Sequence, residues 1–146
     1  MPNVGGPREK KRRLVATVVQ AKQLYAAPAW TESLKNRGIS DELLSAQGGC
    51  AGRVVSAYRT VSTSAALVLA SLPPVGLLAR ERQEVFQRNK DLVTSQGQSR
   101  NLAKAAIRKE ARCRLLEQWQ ERWDGDLKGR WTYRLIPNLA TLRHLV

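Results

Sequence analysis

Histidine and cysteine are nearly missing from this chain of 146 residues: there is one histidine, His144, and two cysteines, Cys50 and Cys113. Three such ligands cannot complete a four-ligand structural zinc site without carboxylates or another chain, so no metal is inferred. Two isolated cysteines in a basic chain with no secretory leader read as reduced intracellular thiols, not as a disulfide. Aspartate is scarce as well, with Asp41, Asp91, Asp124 and Asp126 the whole complement. Polymerase chemistry needs clustered aspartates around two divalent ions. The first three are far apart beside helix ends, and Asp124-Gly125-Asp126 reads as a turn after a helix. No uninterrupted apolar run approaches the roughly 18 residues that a membrane span requires, and Gly48-Gly49-Cys50-Ala51-Gly52 lacks the lysine of a phosphate-cradling loop.

What the chain has in excess is positive charge. Lysine and arginine number 25 against 12 acids, a formal net charge of +13. Such an excess favours a polyanionic partner, because each phosphate neutralised releases condensed counterion. The excess sits at the ends: six basic and one acidic side chain in residues 1 to 24, four and three in 25 to 72, fifteen and eight in 73 to 146. A nearly neutral packed centre flanked by basic helices is the simplest layout.

The pattern is all-α, an irregular helical bundle of about five to six helices with proline corners. Arg8 to Leu24 reads as a helix that opens with Lys10-Lys11-Arg12-Arg13, a nuclear-import or phosphate-binding patch or else a solvated first turn. Cations there oppose the helix macrodipole, so they do not serve helix stability. Pro28 interrupts regular helix in the Tyr25 to Trp30 corner. Ser40, followed by Asp41 and Glu42, predicts a helix start running toward Tyr58, weakened by Gly48, Gly49 and Gly52. Ser62 or Thr63 caps an apolar helix over Ala65 to Ala70 that Pro73-Pro74 ends, and Pro74 suits the first turn of the next helix, carrying Leu78, Val85 and Leu92. This outline resembles a DNA-reading helix pair, but Glu81 and Glu84 among Arg80, Arg82 and Arg88 would bring carboxylates toward phosphate.

Three stretches follow from these signals: a helical region over 1 to 92, a polar linker over 93 to 99, and a long basic helix with an aromatic and basic tail over 100 to 146. In the long helix Leu102, Ala105, Ala106, Cys113, Leu116, Trp119 and Trp123 form the expected core stripe. Arg100, Lys104, Arg108 and Arg114 lie around the rest with Arg122, while Lys109 and Arg112 would have to snorkel. In the tail, Arg130 and Arg134 supply cations for a nucleic-acid backbone. Trp131 and Tyr133 could stack on unpaired bases, or pin the terminal segment onto the core.

Ala57-Tyr58-Arg59-Thr60-Val61-Ser62, continuing through Leu72-Pro73-Pro74 to Leu77-Leu78-Ala79-Arg80-Glu81-Arg82, resembles the segment behind the polymerase core in reverse transcriptases of LINE-type, non-LTR retrotransposons of insects. Met1-Pro2-Asn3-Val4-Gly5-Gly6 and Leu24 to Trp30 are similar to the same family, as are Trp119-Gln120-Glu121-Arg122-Trp123 and Gly129 to Pro137, in the family's order. The resemblance implies thumb and post-polymerase helices over residues 1 to 92 and beyond that grip template and primer, cut from a longer polyprotein at an internal methionine. It implies an RNA-directed DNA polymerase as parent, with magnesium expected only in the absent core and no cofactor in this chain. Ala46-Gln47-Gly48-Gly49-Cys50 departs from the family's basic and apolar helix, and no zinc ligand carries over.

The expectation is a non-catalytic piece that holds RNA or an RNA/DNA hybrid through Lys10, Lys11, Arg12, Arg13, Arg100, Lys104, Arg108, Arg114, Arg130 and Arg134. The missing polymerase domain is its protein partner and no membrane is involved, within an intracellular setting, nuclear or cytoplasmic. Two alternatives stand beside it. One is a free-standing helical interaction module docking through exposed Trp119, Trp123 and Trp131; the other is a truncated remnant without function.

Overall fold

The computed structural model describes residues 6–92 and 98–142, and among them there are seven α-helices, two 3-10 turns and no strand. The helices are α1 (Glu9–Gln23), α2 (Ala27–Trp30), α3 (Arg37–Val54), α4 (Thr63–Ala70), α5 (Val75–Asp91), α6 (Gln98–Gly125) and α7 (Arg130–Leu135). The 3-10 turns cover Thr31–Lys35 and Leu139–Thr141. The all-α expectation holds, with the four-residue α2 and the six-residue α7, in the stretch expected as an aromatic and basic tail, as the additions. Pro28 lies in the first turn of α2, where its missing N–H costs nothing, so it opens a helix as well as ending the previous run. Of the polar linker, residues 93–97 lie outside the described residues, as does His144, while Gln98 and Ser99 already belong to α6.

Local chemistry sets most boundaries. Ser62 caps α4 as expected, its Oγ accepting from Ala65 N at 3.3 Å. The start of α3 differs from expectation: Asn36, not Ser40, is the cap, its Oδ1 accepting from Gly38 N at 2.9 Å. Ser40 N already donates to Asn36 O, so Ser40 lies within the first turn. Pro74 falls one place earlier than expected, at the N-cap of α5. The glycines do not break α3 either. A Cβ on Gly48 would stand 2.6 Å from Thr63 Cγ2, so this glycine is what lets α3 and α4 approach.

α4 ends with Ser71 at φ +55, with Ser71 N donating to Val68 O and Leu72 N to Leu67 O. That is a Schellman closure with serine where glycine is preferred. Ser71→Gly is therefore expected to raise stability by about 0.5–1 kcal/mol, since a left-handed residue with a Cβ carries roughly that penalty net of glycine's unfolded-state entropy. A urea midpoint that fails to rise would contradict the assignment.

The core has two adjoining parts. In one, Val68, Val75, Leu77 and Ala79 pack with Leu115, Trp119, Trp123 and Leu139; in the other, Ala16, Ala51, Val54, Ala66, Leu67 and Leu72 join α1, α3 and α4. α6 packs on α5, and its buried stripe is Ile107, Ala111, Leu115, Trp119 and Trp123. This seam corrects the expected stripe: Trp119 and Trp123 belong to it and Leu116 is half-buried beside it, but Leu102, Ala105, Ala106 and Cys113 are exposed. Partner geometry rather than apolarity sets the phase: Ile107, Ala111 and Leu115 are buried where α6 packs on α5, and the ion pairs of Glu110, Arg112 and Arg114 with α5 flank them.

Two glutamines tie irregular chain to helices in the same way. Gln47 of α3 donates through Nε2 to Pro73 O and accepts at Oε1 from Val75 N, both at 2.8 Å. Gln120 of α6 donates to Pro137 O and accepts from Leu139 N, again both at 2.8 Å. In each case one amide satisfies the carbonyl of a proline and the N–H two residues on, groups that no helix pairs at these corners. Trp123 Nε1 adds a bond to Ile136 O at 2.9 Å, so the tail is folded back onto α6.

Candidate nucleic-acid interface

The cations expected to meet phosphate fall into three places, and their present partners differ. On α1, Lys10 and Lys11 are exposed, whereas Arg12 and Arg13 are half-buried. Arg13 Nη1 donates to Ala70 O at 2.9 Å and pairs with Glu9 at 3.3 Å, and Arg12 Nη1 donates to Ser56 Oγ. These two arginines brace α1 against the ends of α3 and α4, which leaves the lysines as the outward half of the run.

On α6, Arg108 is exposed, Lys104 is half-buried, and half-buried Arg100 has a buried Nε without a hydrogen-bond partner. Arg114 is engaged, pairing with Glu84 of α5 and with Glu110 at 3.8 Å. Around it Arg88 meets Glu110 at 2.8 Å and Arg112 meets Glu81 at 3.1 Å, so the alternating charges of α5 find their opposites on α6. Burial raises the Glu81 carboxyl above the ordinary glutamate range, while Arg112, then Arg82, pull it back down. The pairs of Arg88 with Glu110 and Arg114 with Glu84 are exposed enough to contribute at most about 1 kcal/mol each, so their main effect is to set helix register.

On α7, the ring of Trp131 is 79% exposed, and the Arg134 guanidinium lies over it at 4.7 Å. Tyr133 is half-buried, donates to Asp124 Oδ1 at 3.1 Å and packs on Trp123 with ring centroids 5.7 Å apart. Arg130 lies over Tyr133 at 4.0 Å and donates to the carbonyls of Asp124 and Asp126. Tyr133 and Arg130 thus hold the segment in place, and Trp131 with Arg134 is the outward pair. Trp119 and Trp123, expected to be exposed in the interaction-module alternative, are 3% and 2% exposed and cannot dock on a partner. No hydrogen bond, ion pair or ring contact among the described residues joins the α1 cations to those of α6 or α7.

A cleft of about 430 Å³ lies where α3 ends. Gly49 and Gly52 leave its α3 wall bare, with nothing within 4 Å of a Cβ built on either. Arg53, Ser56, Tyr58 and Arg59 complete the rim. Its signal in the sequence is two arginines and a tyrosine within a few residues of the glycine trio. Among the described residues no three His, Cys, Asp or Glu side chains gather around one point as a metal set would, and no single helix is long and apolar enough to cross a membrane.

No protein-family model matches the chain, and no solved structure matches it. In sequence it is related to a retrotransposon protein. The relative is the 115 kDa protein in type-1 retrotransposable element R1DM of Drosophila melanogaster, 32% identical over 123 residues. The match takes in 78% of this chain but only 12% of that protein, so the chain spans a small part of its relative's length.

Proposed function

We propose that the chain is a helical portion of a non-LTR retrotransposon reverse transcriptase from behind the polymerase core, and that it holds RNA or an RNA/DNA hybrid without regard to sequence. Similarity to the R1DM protein supports the origin. The observation that carries the binding is the net charge of +13 together with cations such as Lys10, Lys11 and Arg108 that stay exposed. Glu81, Glu84 and Glu110 are already taken up in pairs with arginines, which leaves those outward cations for phosphate. Trp131 beside Arg134 adds a flat ring next to a cation, suited to an unpaired base at a strand end. The polymerase chemistry belongs to the core of the parent, and this chain performs none of it.

Protein contact is part of the same reading. α1 turns Leu14, Val15 and Val18 outward, each more than half exposed, and this stripe suits docking on the polymerase domain of the polyprotein. The stripe, not the tryptophan pair in the core, is the partner surface.

Fluorescence anisotropy with labelled single-stranded RNA tests the binding. Affinity is expected to fall with salt by a log–log slope of about −0.7 per phosphate contacted. Lys10→Gln/Lys11→Gln should make that slope shallower by about 1.4, two contacts' worth. Affinity insensitive to salt would remove the electrostatic reading. Primer extension with magnesium tests the rest, and nucleotide incorporation above background would overturn the non-catalytic assignment.

A further inference from the structure

We propose that the cleft at the end of α3 receives one unpaired nucleotide, its base beside Tyr58 on the bare face of Gly49 and Gly52 and its phosphates on Arg53 and Arg59. The inference rests on the nucleic-acid reading and gives that reading a specific pocket for a single-stranded residue.

Four observations converge on this ligand class. The volume of about 430 Å³ lies in the range of small-ligand sites and admits one nucleotide rather than a duplex. The guanidinium groups of Arg53 and Arg59 are exposed and make no hydrogen bond or ion pair among the described residues, unlike those of Arg88, Arg112 and Arg114. No carboxylate lines the cleft to oppose an anion. Tyr58 is 56% exposed between these cations in sequence, a ring available for stacking.

Hydrogen-bond direction adds a polar contact. Ser56 Oγ accepts from Arg12 Nη1, so the hydroxyl proton is turned away from that guanidinium and can be donated into the cleft. A sugar hydroxyl or a phosphate oxygen would take it. The glycines explain why the floor is open: any longer side chain at 49 or 52 would project into the space where a flat ring must lie. An acidic peptide would use the arginines but would leave the ring and the bare wall unused, which favours the nucleotide.

The test uses the full chain and oligouridylate labelled for anisotropy, read in about 150 mM salt, with a blunt RNA duplex as comparison. Tyr58→Ala and Gly52→Leu are each expected to weaken oligouridylate binding about tenfold, the low end of a base–aromatic stack, with duplex binding and the salt slope unchanged. Photocrosslinking of 4-thiouridine RNA should place the adduct on the peptide carrying Tyr58. Arg59→Gln, at an exposed side chain without internal partners, secures the result should either other variant fail to fold, and is expected to weaken both the binding and the crosslink. If the wild type binds but all variants bind equally well and the crosslink lies elsewhere, the cleft is overturned and the broader reading stands. If the wild type binds no RNA in any salt, both fall. Displacement of the RNA by polyglutamate but not by uridine monophosphate would also overturn the nucleotide assignment.

Discussion

Gln47→Leu is expected to lower stability by about 2–4 kcal/mol and the melting midpoint by roughly 10 °C. Leucine matches the volume of glutamine closely, so the loss is not a cavity. What disappears is the pair of bonds to Pro73 O and Val75 N, in a place where Gln47 is 2% exposed and Val75 1%. Water cannot substitute there, and each orphaned backbone group carries a desolvation cost of about 1–3 kcal/mol. Gln120→Leu is the internal comparison. It breaks the same pair of bonds at Pro137 O and Leu139 N and also a bond from Nε2 to Asp124 Oδ1, but the bonds to Pro137 O and Asp124 are exposed, so solvent replaces much of them and the loss should be about half as large. Thermal melts followed by circular dichroism measure both. A Gln47→Leu variant within about 1 kcal/mol of wild type would mean the corner is held by packing alone.

The second large effect is Gly48→Ala. Helix propensity alone favours alanine by about 1 kcal/mol, yet the new Cβ would stand 2.6 Å from Thr63 Cγ2 and 3.0 Å from its Oγ1. Threonine is branched at Cβ and has no flexible end to retract. α3 must therefore shift from α4, disturbing the packing of Ala51, Val54, Ala66 and Leu67. A net loss of about 1–3 kcal/mol follows, in the range of overpacked cores. Thr63→Ala removes both crowding atoms, leaving only its Cβ at 3.2 Å. The double variant should then recover most of the loss, giving a coupling energy of about 1–3 kcal/mol. Gly49→Ala and Gly52→Ala, open to solvent in the same helix, are expected to stabilise. Urea denaturation of the four variants and the double separates crowding from propensity, and equal effects at 48 and 49 would contradict the close approach.

Features encoded within a few residues were legible in the sequence. The Ser62 cap and the corner at Pro73-Pro74 depend on neighbours in the chain and are legible from residue type, whereas α6 runs two residues past the expected stop at Trp123 and takes in Asp124 and Gly125. Ser40 misled because Asn36 is also a capping residue and lies four positions earlier, ahead of a helix the acids at 41 and 42 already fitted. The rotational phase of α6 was not legible, since Leu102 and Cys113 are as apolar as Ile107 and Leu115 and only the placement of α5 separates them. Gln47 gave no sign of burial, because its partners lie 26 and 28 residues away. At the candidate interface the basic residues were visible by type, but not which were spoken for. Arg12, Arg13 and Arg114 have internal partners that depend on the fold, while Arg53 and Arg59 became noticeable only beside a bare glycine wall.

The shared carboxylates between α5 and α6 have a consequence for counting charges. An incoming polyanion can recruit Arg88 or Arg114 only by a swap, freeing Glu84 or Glu110 to gather a small cation from solution. Such an exchange releases an ion at the nucleic acid and takes one up at the protein, so it is nearly silent in an ionic-strength titration. The apparent valence of this protein will therefore fall short of its arginine and lysine count, and the shortfall will report how many of those side chains were answered at home before any strand arrived.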